Sequence, residues 1–267
     1  MTRVSPRRVW AVVWKELLDL SKNRGLLLSM LVLPVVVVSA PVVNVYVYCR
    51  NPDDSSLRTM ALFYDPEFPL TQSAAKFLID KALVDWFGLF LVMPLFVPIL
   101  ISSHAVAGEK ERRTIEPLLA SPVTALELVA GKSLASLVPA VVISWVAFGI
   151  FCAAVDVVSW RFLRVALMPT SMWLFGVLVI APLFAFFGNG VAVLISARVA
   201  EARLAQQIAG VCVLPVASLV TLQIAGVLSA GTRYYALQGV VVLVLDALLL
   251  VAAVRLFDRE RLISRWK

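Results

Sequence analysis

The triplet Gly131-Lys132-Ser133 has the residue types of a phosphate-binding loop. In such a loop the lysine and the hydroxyl residue meet phosphate and metal, and an earlier glycine lets the backbone curl around the anion. The position that requires this glycine is occupied by Leu126, and Thr124 to Ala130 has the pattern of a helix, not of a strand leading into a loop. The triplet therefore does not predict nucleotide binding by this chain.

Other residue types that support catalysis are sparse. His104 is the single histidine, and no second ligand lies at metal spacing from it. Cys49, Cys152 and Cys212 also lack the spacing of a metal site. The acidic residues are scattered, so neither a carboxylate cluster nor a nucleophile with its base is indicated. The sequence predicts neither an enzyme nor a metal centre.

The elements that position these residues are membrane helices. Of the 267 residues 61% are hydrophobic, and the mean hydropathy is +0.92. Because about 20 apolar residues cross the hydrocarbon core of a bilayer as a helix, the apolar runs predict an all-α integral membrane protein. The six predicted spans are residues 26–49, 84–107, 133–155, 172–195, 206–229 and 236–256.

The charges predict the orientation of these spans. The net charge is +7, and 17 of the 24 lysines and arginines fall on one side if the spans alternate. Basic residues concentrate on the cytoplasmic side of membrane proteins, so both termini are expected in the cytoplasm. This distribution accounts for the basic balance without nucleic acid.

A few polar residues lie inside the spans. A charged side chain at the centre of a membrane helix costs about 2.5–3.5 kcal/mol on insertion scales, so such residues mark functional positions. The candidates for a path or gate are Asp246, Asn44, Asn189 and Gln223. For Asp246 two interpretations stay open: a gating or ion-linked site, or a protonated acid bonded to a neighbouring helix.

Residues 1–25 are predicted to form an amphipathic helix at the inner membrane interface. Trp10, Val13, Trp14 and Leu17 fall near one helical face, and basic residues fall largely elsewhere. The helix is either a static anchor or an elbow that moves with the spans.

The largest outer segment, residues 50–83, is too short for an independent domain. Its stretch TMALFYD is predicted to be extended, and TQSAAKFLIDKAL is predicted to be a helix leading into the second span. We therefore expect one membrane domain over residues 1–267.

The inner loop, residues 108–132, combines charge with helix breakers. A short helix from Gly108 to Glu116 should stop near Pro117 and Pro122. A second helix should then begin at Thr124, which forms a capping box with Glu127. A compact charged protrusion between two spans suits docking to a soluble partner.

The stretch AGEKERRTIEPLLASPVTALELVAGK resembles the inner loop of the membrane (permease) subunits of type-2 ATP-binding cassette (ABC) transporters, which are mostly prokaryotic exporters. The opening WKELLDLSKNR and the six spans are similar to that family as well. One departure is Arg113, where the family usually has glycine before the threonine.

The resemblance implies a non-catalytic permease subunit that forms a translocation path as a dimer, more readily a homodimer, in a prokaryotic cell membrane. It implies that the inner loop is a coupling helix that contacts a separate ATPase subunit, present in two copies, which holds the ATP and magnesium. No cofactor is then bound by this chain. The residues expected to contact the ATPase are Glu109, Glu111, Arg112, Thr114 and Glu116. An ATP-independent carrier or channel is the alternative.

Overall fold

The computed structural model describes residues 5–69, 71–104, 107–108, 124–224 and 232–257, and within them every regular element is a helix. The helices are α1 (Pro6–Lys22), α2 (Arg24–Arg50), α3 (Ser55–Tyr64), α4 (Ala74–Ser102), α5 (Ala125–Leu163), α6 (Ser171–Arg198), α7 (Ala202–Ile224) and α8 (Thr232–Phe257). Five of them, α2, α4, α5, α6 and α8, contain stretches long and apolar enough to cross a membrane. The all-helical membrane architecture is therefore confirmed.

The predicted fifth span, residues 206–229, falls on α7 and the residues that follow it. The apolar part of α7 identified within the described residues runs from Ala202 to Val216, which is shorter than a bilayer crossing requires. A sixth crossing by this segment remains a prediction.

Polar side chains fix where the helices begin. The residue before the first turn accepts a hydrogen bond from a backbone N–H that has no partner within the helix, which is the usual role of Ser, Thr, Asp and Asn there. The capping residues are Asn23 for α2, Asp54 for α3, Ser73 for α4, Thr124 for α5 and Thr170 for α6. The short polar segments between the apolar runs thus set the helix boundaries.

Two helices form the centre of the bundle. α4 packs on α2, α5, α6 and α7, and α6 packs on α4, α5, α7 and α8. In their apolar stretches 61% and 56% of residues are buried, against 22% in α2, α5 and α8. The central pair approaches closely because Gly188 has no side chain: a Cβ there would lie 2.3 Å from the carbonyl oxygen of Leu95. Small residues at such contacts let membrane helices pack tightly.

An aromatic cluster fills the half of the bundle away from α1. The ring of Trp173, which is fully buried, contacts those of Phe87, Phe90, Phe148 and Phe151. Beside it, α6 contains a π-helical turn over Gly176–Ile180, and the indole N–H of Trp145 donates to the Val177 carbonyl at 3.1 Å. The cluster joins α4, α5 and α6 through rings that pack edge to face or stacked.

One sequence prediction needs correction. The stretch TMALFYD is not extended but belongs to α3, because the Asp54 carboxylate accepts from the Ser56 N–H and begins a helix there. The predicted N-terminal helix is α1, in which Val13 is buried against the bundle and Trp10 and Trp14 are exposed. The predicted helix between the outer segment and the second span is confirmed as the start of α4.

Candidate functional site

The inner loop is held at both of its ends. α4 ends at Ser102, α5 begins at Ala125, and both ends lie at the end of the bundle that carries α1. We call this the α1 end and the opposite one, which carries α3, the α3 end. The predicted contact residues Glu109, Glu111, Arg112, Thr114 and Glu116 lie outside the described residues. The site that can be built is therefore the support of the loop.

The first turn of α5 contains the predicted capping box. The backbone N–H of Glu127 donates to the Thr124 hydroxyl at 3.2 Å, and the N–H of Thr124 donates to a carboxylate oxygen of Glu127 at 2.9 Å. Two N–H groups that α5 could not satisfy itself are thereby paired. The cap fixes the residue at which the loop becomes a rigid helix.

Glu127 also binds the segment that begins α1. The backbone N–H of Ser5 donates to its other carboxylate oxygen at 2.7 Å, and the Arg8 guanidinium lies 3.6 Å from the oxygen that accepts from Thr124. The Glu127 side chain is fully buried, and hydrogen bonds to an ionised group are stronger than those between neutral groups. One carboxylate therefore joins α1 to the start of α5.

One turn further along α5, Gly131 lets α1 approach. A Cβ at this position would lie 2.7 Å from Val12 and 3.1 Å from the carbonyl oxygen of Val9. The neighbouring Lys132 is almost fully buried and lies 3.4 Å from the carboxylate of Glu16. The Gly-Lys pair that suggests a phosphate loop is thus part of a helix–helix contact.

These contacts form one unit, which we call the α1–α5 clamp: Ser5, Arg8, Val12 and Glu16 on one side, and Glu127, Gly131 and Lys132 on the other. The clamp combines a close backbone approach with two buried or half-buried ion pairs. Sequence reasoning found the cap but missed the clamp. The signal was the glycine next to a lysine in an otherwise apolar helix.

Behind the clamp, a buried polar cluster joins α4, α5 and α6. The hydroxyls of Ser102 and Ser136 lie 2.7 and 2.9 Å from the amide oxygen of Asn189 and 2.8 Å from each other. An amide oxygen accepts two hydrogen bonds, so both hydroxyls can donate to it. We call these three residues the Ser–Asn cluster; it places Asn189, a predicted path residue, in a packed helix contact.

A second pair of bonds ties the last turn of α4 to α6. The Ser196 hydroxyl lies 2.9 Å from both the carbonyl oxygen of Ser103, to which it donates, and the N–H of Ala107, from which it accepts. Ser103 and Ser196 are buried, as is Ala107. The chain is therefore fastened to α6 where it enters the inner loop.

The contact between α6 and α8 differs from these arrangements. Asp246 and Gln238, each 4% exposed, lie on α8, and neither their carboxyl oxygens nor their amide atoms have a hydrogen-bond partner in the described part of the chain. They are eight residues apart and so lie on one side of the helix, about 12 Å apart. We call this contact the α6–α8 seam.

The other predicted path residues do not join Asp246. Asn44 is half-buried on α2, which packs on α4 and α5, and Gln223 lies in α7, where only its backbone is described. His104 is exposed, with its ring 3.1 Å from the Leu100 carbonyl oxygen. Among the described residues, no group of acidic, cysteine or histidine side chains is arranged to hold a metal.

Taken together, the apolar helices, the polar anchors at one end and the buried polar seam define a multi-pass membrane protein. Residues 10–258 match the family model of the ABC-2 family transporter proteins, and the chain belongs to that family. Comparison with curated proteins gives no match. Permeases of this family are generally non-catalytic membrane subunits that work with an ABC ATPase subunit.

Proposed function

We propose that this chain is the permease subunit of an ATP-driven exporter. Two copies form the translocation path, and each contacts one copy of a separate ATPase subunit that binds ATP and magnesium. The chain lies in the plasma membrane of a prokaryote with both termini in the cytoplasm. The family membership and the anchored inner loop support this function.

The observation that carries the proposal is the α1–α5 clamp. A force on residues 108–123 enters α5 at its first turn, where Glu127 bonds to its capping residue Thr124 and to the start of α1. Because α1 and α5 are in contact from Glu127 to Lys132, they respond to that force as one body. In this proposal α1 acts as an elbow that moves with the spans.

The Ser–Asn cluster extends this response to the centre of the bundle. It links α5 to α4 and α6, so motion of α5 is passed to the two most buried helices. Polar side chains that bond across membrane helices contribute about 0.6 kcal/mol on average and up to about 1.7 kcal/mol. Asp246, Asn44, Asn189 and Gln223 remain the candidates for the path or its gate.

Co-purification tests the partner. The tagged chain, extracted in mild detergent, should retain an ATPase subunit in fixed proportion, and Glu116→Lys should reduce its association and its stimulation. Glu67→Lys, an exposed position at the α3 end, is the control for charge reversal. A chain that purifies alone from membranes where its partners are preserved would contradict the proposal and favour an ATP-independent carrier.

A second experiment tests the clamp. Gly131→Ala places a Cβ against Val12, whereas Gly149→Ala in the same helix meets no atom within 4 Å. The first variant should bind the ATPase but transport less per ATP hydrolysed, and the second should behave as the native chain. Equal transport per ATP for both variants would rule out coupling through the clamp.

A further inference from the structure

The short helix α3 exposes large apolar side chains. Met60, Leu62, Phe63 and Tyr64 are all exposed, and Phe63 has 84% of its surface accessible. Single exposed apolar residues are common on protein surfaces, but four in the last five residues of one helix concentrate apolar surface at that end of the helix. We call these four residues the α3 patch.

The opposite face of α3 fixes the helix to the bundle. Leu57 and Ala61 are buried against Ala74, Ala75 and Leu78 at the start of α4, and Tyr48 of α2 packs against the same cluster. The patch is therefore held in place by its own helix, and the described residues of this chain do not cover it.

The position of α3 along α2 indicates what covers the patch. From Arg24, next to the end of α1, to Tyr48, which packs on α3, there are 24 residues, or about 36 Å of helix. A bilayer with its headgroup regions is about 40–45 Å thick. If α1 lies in one headgroup layer, α3 is at the height of the other.

The surface next to α3 continues the patch. At the same height Tyr46 is exposed on α2 and Phe162 on α5, their ring centroids 5.9 Å apart, and Trp160 is exposed two residues before Phe162. Aromatic side chains favour the boundary between headgroups and acyl chains. Below them α2 exposes Val35, Val36 and Val43, as a surface facing lipid would.

Polar and apolar residues occupy different halves of α3. Ser55, Ser56, Arg58 and Thr59 occupy the first half, and the α3 patch occupies the second. Close to the patch, the Lys81 ammonium lies 5.1 Å from the centre of the Tyr64 ring and pairs with Asp85. A ring with a cation on one side and apolar neighbours on the other suits a boundary between headgroups and acyl chains.

We propose that α3 is a second interfacial helix, whose partner is the lipid of the leaflet opposite α1. The α3 patch inserts at the boundary of headgroups and acyl chains, with Phe63 deepest, and anchors the outer segment to the bilayer. This goes beyond the proposed function, since it holds with or without an ATPase partner.

Depth-dependent quenching tests the proposal in the full chain. Cys49, Cys152 and Cys212 are replaced by alanine, and one new cysteine carries an environment-sensitive fluorophore in phosphatidylcholine vesicles. The positions are Phe63→Cys, the exposed mid-span control Val35→Cys and the exposed turn control Asp53→Cys. Met60→Cys serves if the first variant does not give a monodisperse protein.

The label at position 63 should be quenched at least about threefold more by lipids with a nitroxide near the headgroup than the label at position 53, because interfacial side chains lie about 5–10 Å below the surface. The label at position 35 should be quenched best by a nitroxide deep in the acyl chain. A label at position 63 that matches position 53 would overturn the proposal. So would shielding from both lipid and water, which would indicate a protein partner over the patch.

Discussion

The two sides of α6 differ in whether their buried polar side chains have hydrogen-bond partners among the described residues. Toward α4 and α5, Asn189 is bonded to two serine hydroxyls, and Gly188 lets the backbones touch. Toward α8, Gln238 and Asp246 are equally buried and have no partner among the described residues. In a membrane interior an unpaired polar group costs several kcal/mol. We therefore expect the contact of α6 with α4 and α5 to stay closed. Separating α6 from α8 should cost less free energy, because no side-chain hydrogen bond of Gln238 or Asp246 to a described residue is broken.

The largest effect should come from adding a methyl group on the side of α6 that faces α4 and α5. Gly188→Ala places a Cβ 2.3 Å from the Leu95 carbonyl oxygen, which belongs to a backbone that cannot turn away. We expect a loss of about 3 kcal/mol or more, at the upper end of overpacking effects, and little folded protein. Fluorescence-detected size exclusion of the expressed variant measures this.

Gly190→Ala is the matched control two residues along the same helix. Its Cβ would lie 3.2 Å from a methyl group and 3.3 Å from the Cβ of Leu249 on α8, contacts that a shift of α8 by a few tenths of an ångström relieves. We expect near-native yield and thermal stability. Comparable losses in the two glycine variants would show that the sides of α6 do not differ.

The next largest effect should be of opposite sign. Asp246→Leu replaces a buried carboxyl that has no partner among the described residues with an apolar side chain, which should raise the stability by about 1–3 kcal/mol because one of the two desolvated polar groups of the seam is removed. Thermal unfolding in detergent measures the gain. Transport should fall in this variant and in Asp246→Asn if the acid belongs to the gate, while unchanged transport in both would reduce Asp246 to a packing residue.

Removal of the paired amide should have a smaller effect. Asn189→Ala leaves two buried hydroxyls that can still donate to carbonyls of their own helices, as Ser136 can to Ser133. We expect a loss of about 0.6–1.7 kcal/mol, the range for polar contacts between membrane helices. A double-mutant cycle with Ser102→Ala isolates the pair, and additive losses would argue against the bond.

The smallest effect on stability is expected from Asp54→Ala, at the water-exposed start of α3. The Ser56 backbone N–H donates to Asp54 and lowers the pKa of its carboxyl below the ordinary value. The stability that Asp54 contributes to α3 is then fully present above the ordinary pKa, and it is lost as the pH falls through the lowered pKa of the folded state. Hydrogen exchange of the α3 amides should be slowed at neutral pH relative to Asp54→Ala, and the difference should vanish in strong acid. A difference that persists there would exclude the carboxylate as the cap.

Length and hydropathy predicted the helices well because crossing a bilayer requires about 20 apolar residues in a row. The run 26–49 became α2, and 172–195 became α6, each within a few residues. The helix from residue 55 was missed because its aromatic and β-branched residues resemble a strand, whereas one aspartate cap determines its start.

The candidate site was harder to predict. Asp246 stood out because a carboxylate is rare in an apolar run, but Ser102 and Ser136 did not, since a serine can satisfy its hydroxyl on its own helix. The α1–α5 clamp depends on two segments more than 100 residues apart meeting at Gly131. Gly131 next to Lys132 marks an unusual position on α5, but spacing within one segment does not identify the second segment that meets it.

The length of α5 has a mechanical consequence. At 39 residues it is about 58 Å long, well beyond the thickness of the hydrocarbon core. A rod of this length that tilts by about 10° about its middle displaces its two tips by about 5 Å in opposite directions, close to the pitch of one helical turn. In the proposed cycle, a displacement of about 5 Å at the capped end of α5 would therefore be matched by an equal and opposite displacement at its other end.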